Sequence, residues 1–155
     1  MEVNARYVNL KFIDNNKWIF FSNYNSPKAD EFFLHDQITA VTYWPACNSQ
    51  IRMKAIIKKT TSSFSKKYFT KRSKEKNALS ISSYQSKQTA SFEQVKNNYN
   101  NVLLNENLEN CPDYWGGYVF TPYYFEFWEG HESRLNKRES FELNGDDWVQ
   151  SFLQP

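Results

Sequence analysis

Only two cysteines, two histidines and four glycines occur among 155 residues, and their scarcity removes several kinds of chemistry. Cys47 and Cys111 are read as reduced thiols rather than a disulfide framework. His35 and His131 stand apart, and no Cys or His spacing has the form of a zinc site, so no protein-ligated metal is expected. The same shortage leaves no credible Ser-His-Asp set. With so little glycine there is no G-x-G-x-x-G turn and no Walker-type phosphate loop, which disfavours a Rossmann cofactor. No apolar run approaches the ~18 residues needed to cross a bilayer. The opening MEVNARYVNLK lacks the apolar stretch of a signal peptide, so the expected location is cytoplasmic, away from membranes. A net charge of +2 is too near zero to argue for nucleic acid by itself.

Aromatic residues are plentiful, at 18% of the chain, and recur along nearly its whole length. The length suits one domain with one core, and the aromatics must do much of the packing. They are densest from Tyr114 to Arg138, an aromatic run that ends in the charged hook Arg134-Leu-Asn-Lys-Arg138. So much aromatic area is costly to leave wet, whereas the hook is not core material. The juxtaposition suggests a site for a flat ring that carries an anionic group.

Residues 6–12 alternate, with Val8, Leu10 and Phe12 on one face and Tyr7, Asn9 and Lys11 on the other, which predicts a strand. Asp14-Asn15-Asn16 is a turn signal, and 17–23 reads as the return strand of a hairpin. Ser26 before Pro27 marks an N-cap and a short helix over 27–34. Strands are expected over 38–44 and 50–59. Ser62 or Ser63 is read as the cap of a helix carrying Phe64, Tyr68 and Phe69, and further helices are expected over 76–82 and over 91–104, where Phe92, Val95, Tyr99, Val102 and Leu103 form an apolar stripe. Two strands, 117–121 and 123–128, are separated at Pro122. A last hairpin, 140–143 with 148–152, turns at Asn144-Gly145. Strands that arrive mainly as hairpins favour an antiparallel barrel or sheet over a doubly wound fold.

Residues 52–76 hold ten basic residues and one acid, Glu75. A solvated face, a nucleic-acid surface and a pocket for a phosphate monoester are all compatible with that run. For the pocket, Tyr68 and Arg72 at i, i+4 could offer a hydroxyl and a guanidinium fork to phosphate oxygens. Arg6 and Lys11 flank one strand, and Gln85-Ser86 supply small polar groups in a loop.

Taken together, these blocks resemble the pyridoxamine (pyridoxine) 5′-phosphate oxidase family. The matching stretches come in the family's order: RYVNLK at 6–11, FFSNYNSPK at 20–28, YWPACNSQIRM at 43–53, KKYFTKR at 66–72, YQSK at 84–87, WGGY at 115–118, EFWEG at 126–130 and RLNKR at 134–138. The resemblance implies a mainly β, antiparallel, FMN-binding split β-barrel with inserted helices, a single domain over 1–155. It also implies a homodimer with flavin sites at the interface. Carried over by motif, Arg6, Tyr7, Val8 and Asn9 would line the FMN site. Phe21, Ser22 and Lys28 would face the flavin, with Lys28 on its phosphate. Gln50, Gln85 and Ser86 would add contacts, some across the dimer. Trp128 would pack beside the ring system, and Arg138 would meet the cofactor.

On the substrate side, Lys11, Tyr68 and Arg72 match the group that holds a phosphate, and Arg134 matches the catalytic arginine over a pyridine ring. The implied activity is FMN-dependent oxidation of pyridoxamine or pyridoxine 5′-phosphate to pyridoxal 5′-phosphate with O₂ as acceptor. Four positions depart from the family pattern. Pro27 replaces an arginine, Lys76 a serine of the substrate group, Asn136 a histidine of that group, and Phe152 an arginine. Family members also carry a segment ahead of the Arg6 strand. Two other outcomes fit these departures: an FMN oxidase acting on another aromatic, such as a phenazine precursor, and a non-catalytic flavin or vitamer-phosphate binder.

Overall fold

The computed structural model describes residues 4–155, and its organising element is one long strand. The chain forms, in order, β1 (Leu10–Asp14), β2 (Lys17–Asn23), α1 (Pro27–Leu34), β3 (Gln37–Trp44), a 3₁₀ turn (Pro45–Cys47), β4 (Ser49–Lys59), α2 (Ser62–Phe69), α3 (Lys74–Ser82), α4 (Phe92–Asn105), β5 (Trp115–Glu129), β6 (Lys137–Asn144) and β7 (Asp147–Phe152). Every pairing in the seven-stranded sheet is antiparallel. β5 lies at its centre. One side of β5 pairs with β4 along most of its length; the other pairs with β2 over the first half and β6 over the second.

Pro122 falls where the neighbour changes, between the last β2 pair at Phe120 and the first β6 pair at Tyr124. There its missing N–H breaks no ladder on that side, and on the other side the register with β4 shifts between Lys54 and Ala55. The Asn16 side chain donates to the Pro122 carbonyl at 2.9 Å. The two strands expected over 117–121 and 123–128 are therefore one strand, because proline sits in a gap that needs no donor.

The core follows from the period-two pattern. Ile51, Met53, Ala55 and Ile57 of β4 are buried and pack with Phe20 of β2, Tyr118 and Phe120 of β5, and Ala29 of α1. A second cluster joins Phe69, Cys111 and Trp115, which clamps α2 against the start of β5. Gly116 and Gly117 serve this packing. A Cβ on Gly117 would lie 2.6 Å from Thr60 Oγ1 and 2.9 Å from Thr60 Cγ2. That Thr60 hydroxyl is hydrogen-bonded to Ser65 Oγ at 3.0 Å, so it cannot swing away freely. Gly117→Ala is expected to destabilise the fold by about 1–3 kcal/mol through overpacking. Urea unfolding checks this, and an unchanged midpoint would mean the Thr60 side chain yields.

Three local expectations are corrected. Residues 6–9 form no strand, because pairing with β2 begins at Leu10–Phe20 and slips between Leu10 and Phe12. Ser26 occupies the N-cap position of α1 but makes no cap bond; its hydroxyl donates to the Asn23 carbonyl at 2.8 Å instead. The cap of α2 is Thr61, whose hydroxyl accepts the Phe64 N–H at 3.3 Å, rather than Ser62 or Ser63, because the helix already begins at Ser62. The hairpin at Asn144-Gly145 forms as expected, with Gly145 at φ +63, a conformation glycine adopts without a Cβ penalty. Cys47 is exposed and Cys111 buried, and neither is bonded to the other. Among the described residues no helix is long and apolar enough to cross a membrane.

Candidate functional site

The site is built around a buried lysine. Pro27 starts α1 with its φ already set, which places Lys28 in the first turn, and only 4% of that residue is exposed. The Lys28 Nζ donates to Ser22 Oγ at 2.7 Å, Gln85 Oε1 at 2.9 Å and Ser26 Oγ at 3.1 Å. Ser22 in turn donates to Gln85 Oε1 at 2.9 Å, and Arg6 Nη1 donates to Ser86 Oγ at 3.0 Å. Every acceptor on the ammonium is neutral. Burial, then the nearby charge of Arg6, pull Lys28 down to about 8, and the more distant Glu31 only partly opposes them. A buried cation without a counter-ion is expensive, and the positive end of α1 makes it more so. The same donors form a cradle for an anion: an ammonium, hydroxyls, a guanidinium and a helix N-terminus. A phosphate monoester, such as the one FMN carries, fits that donor set.

Tyr68 and Arg72 meet on Trp115. The Tyr68 ring stacks on Phe21 with centroids 4.1 Å apart, and Phe21 lies 5.1 Å from Trp115. The Arg72 guanidinium sits 4.4 Å over the Trp115 ring and donates to Ser80 Oγ at 3.0 Å and to the Lys76 carbonyl at 3.2 Å. These two are not one turn apart on a single helix. α2 stops at Phe69, and Arg72 lies in the turn to α3, its N–H donating to the Phe69 carbonyl. Burial lowers the Arg72 pKa, and no carboxylate hydrogen-bonds it among the described residues.

A third group lies on one row across the sheet, where Gln50 of β4 pairs with Trp128 of β5 and Trp128 with Arg138 of β6. Arg138 Nε and Nη2 both hold Glu126 Oε1 at 2.8 Å, while Arg138 Nη1 donates to the Gln154 carbonyl at 2.7 Å. Arg52 holds the other Glu126 oxygen. Beyond this row the 131–136 loop presents Arg134, exposed and at φ +62, an uncommon conformation for arginine. Asn136 shapes that loop: its Oδ1 accepts the His131 N–H at 3.0 Å.

The first and third groups stand at opposite ends of β5. Ser22 pairs with Gly116 near its start and Gln50 with Trp128 near its finish, about 40 Å apart along the strand at ~3.3 Å per residue. Tyr7, Val8, Asn9, Lys11 and Lys76 are exposed, and their side chains make no hydrogen bond among the described residues. Sequence reasoning missed Ser26, Trp115 as the platform under Arg72, and Glu126 as the partner of Arg138. For Glu126 a signal existed, an acid at an inward position of an otherwise aromatic strand.

A family model described as the pyridoxine 5′-phosphate oxidase C-terminal dimerisation region matches residues 115–155. The pyridoxine/pyridoxamine 5′-phosphate oxidase of Vesicomyosocius okutanii is 32% identical over 161 residues, covering 99% of this chain and 74% of that protein. The same enzyme of Cytophaga hutchinsonii is 34% identical over 146 residues, covering 92% and 67%. Among solved structures, PhzG from Burkholderia lata, in complex with tetrahydrophenazine-1-carboxylic acid, superposes with a TM-score of 0.90 at 27% identity, covering 99% of this chain and 76% of that one. A pyridoxamine 5′-phosphate oxidase-related, FMN-binding protein from Nostoc punctiforme shares the fold, with a TM-score of 0.77 at 14% identity and coverage of 97% and 80%.

Proposed function

The chain belongs to the pyridoxine/pyridoxamine 5′-phosphate oxidase family of FMN-binding split-barrel oxidoreductases, and from that premise we propose that it oxidises pyridoxamine or pyridoxine 5′-phosphate to pyridoxal 5′-phosphate with O₂ as acceptor. The observation that carries this reading is Lys28, a buried ammonium whose contacts are all neutral oxygens, in the position where the family motif puts the flavin phosphate. Lys28, Arg6, Ser22, Gln85 and Ser86 would hold that phosphate. FMN, when bound, supplies the two-electron acceptor and the route to O₂.

The protein's part is binding and orientation. Tyr68 and Arg72 would seat the substrate phosphate beside Trp115, with Lys11 and Lys76 as flexible cations at its rim. Arg134 would reach from its strained loop over the substrate ring, and Asn136 would keep that loop in shape. No general acid or base histidine is needed for that division of labour. Gln50, Trp128 and Arg138 would serve a flavin at the far end of β5 from Lys28. The distance along the strand favours a homodimer in which each flavin lies between the Lys28 end of one chain and the Trp128 end of its partner. The matched dimerisation region supports the same assembly.

A second reading has its own support. The likeness to PhzG and the substituted positions Lys76 and Asn136 favour an oxidase acting on a phenazine precursor. Absorbance in the flavin bands before and after added FMN, then peroxide production with each vitamer phosphate and with a dihydrophenazine carboxylate, separates the two. A flavin-loaded protein that turns over neither vitamer phosphate would overturn the first reading. Arg134→Ala is expected to depress turnover at least about 100-fold with little change in FMN affinity, as an interaction made in the transition state would. Arg6→Ala should do the reverse, and equal effects on both quantities would mean that the two roles are misassigned.

A further inference from the structure

Charge is strongly segregated along this chain. Residues 52–76 carry ten basic residues and one acid, whereas the remaining 130 carry nine basic residues and sixteen acids. The density peaks over 66–76, where six of eleven residues are Lys or Arg and only Glu75 is acidic. In the fold this stretch is the end of α2, the turn to α3 and the first turn of α3. Lys66, Lys67, Lys71, Lys74 and Lys76 are all exposed there. Arg72 is their half-buried centre, 4.4 Å over the Trp115 ring.

The acids on hand do little to cancel this charge. Asp113 reaches Lys66 only at 4.0 Å and is itself exposed, and Glu75 points to solvent. Arg52, by contrast, is paired with Glu126, a carboxylate that Arg138 also holds, and lies outside the 66–76 stretch. Lysines 67, 71 and 74 make no salt bridge among the described residues.

We infer that the collar formed by Lys67, Lys71 and Lys74 is an electrostatic funnel, which captures a small anionic ligand and delivers it to the Tyr68–Arg72–Trp115 seat without touching it once bound. The inference rests on the reading of that seat as a phosphate site. A rim of one sign around a partly buried cation raises the local concentration of the opposite charge and speeds encounter by 10–10³-fold. It acts on association rather than dissociation, because the collar and the bound ligand make no contact.

The test is stopped-flow binding of pyridoxine 5′-phosphate to the full chain, followed by tryptophan fluorescence, with dephosphorylated pyridoxine as the uncharged twin. Raising salt from about 0.02 M to about 0.5 M shortens the screening length from roughly 20 Å to roughly 4 Å. The association rate of the phosphate ester should fall about 10-fold over that range, with dissociation changed less than about twofold. Pyridoxine itself should show no salt slope. The variant K67Q/K71Q/K74Q should associate at low salt as slowly as the unaltered protein does at high salt.

A salt-independent association rate, an effect confined to dissociation, or a variant that keeps the full salt slope would each overturn the funnel and leave the phosphate seat standing. No saturable binding of the ester would overturn the seat and the funnel together. Tight binding of a short DNA duplex that the triple variant loses would overturn the funnel in favour of a docking face for a polyanion.

Discussion

Lys28→Met is expected to abolish flavin retention while leaving the fold as firm as before, or firmer. Methionine fills a similar volume and needs no counter-ion, so the buried pocket loses its unpaired charge. The bound phosphate loses a buried, charge-assisted partner, worth about 3 kcal/mol or roughly 100-fold in affinity. Equilibrium titration with FMN checks the loss, and urea unfolding of the flavin-free protein checks the fold.

The unaltered protein carries a pH signature of the same residue. The folded value of Lys28 is about 8, against 10.5 for an ordinary lysine. Between those limits the unfolded chain holds the extra proton, so stability contributed at this position rises with pH. Below about pH 8 the penalty of the buried ammonium is present in full. A bound phosphate reverses the preference by favouring the ammonium, so anion affinity should weaken as pH climbs past 8. Lys28→Met should erase both trends. A flavin affinity that is flat from neutral pH to well above 8, or a methionine variant that still binds FMN tightly, would remove Lys28 from the site.

Glu126→Gln should be the most damaging conservative change in the sheet. The Glu126 side chain is only 4% exposed and is gripped by Arg52 from β4 and Arg138 from β6. Burial alone would raise its pKa, but the hydrogen bonds and charges of the two arginines outweigh burial and hold it below 4.5. Glutamine keeps the shape and leaves two guanidinium groups facing a neutral amide. Breaking a fully buried pair destabilises by 3–5 kcal/mol; here about 2–3 kcal/mol is expected, since each arginine is about a third exposed and can recover water. Because the folded pKa is depressed, the contribution is present above 4.5 and is lost as pH falls through the folded value. The gap in urea stability between the two proteins should therefore close in acid. A gap that persisted there would point to packing rather than charge. The variant should also loosen Arg138 and its hold on the Gln154 carbonyl.

Much of the architecture was legible because hairpin signals are local. Asn144-Gly145, Asp14-Asn15-Asn16 and the alternation of β4 each specify structure within a few residues. Pro122 misled because a proline's meaning depends on its lateral neighbours, and sequence does not say where β2 stops and β6 begins. Residues 6–9 alternate as a strand would, yet pairing with β2 starts only at Leu10, because alternation marks a possible strand without supplying its partner. The family motifs named Arg6, Ser22, Lys28, Gln85 and Ser86, and the fold gathers these five from four separate segments. What no motif carried was the neutrality of the Lys28 surroundings, which is a property of the assembled pocket. Arg138 is the clearest case of divided duty: its motif position suggests a cofactor contact, while its side chain is spent largely on Glu126 and Gln154.

The separation of the two residue groups along β5 has a thermodynamic consequence. If each flavin bridges two chains, the cofactor and the assembly share one equilibrium. Diluting the protein would then release FMN, and adding FMN would pull monomers together, each by mass action. Cofactor content would depend on protein concentration as much as on FMN concentration. A sample stripped of flavin would be expected to show a concentration-dependent melting temperature that sharpens once flavin is restored.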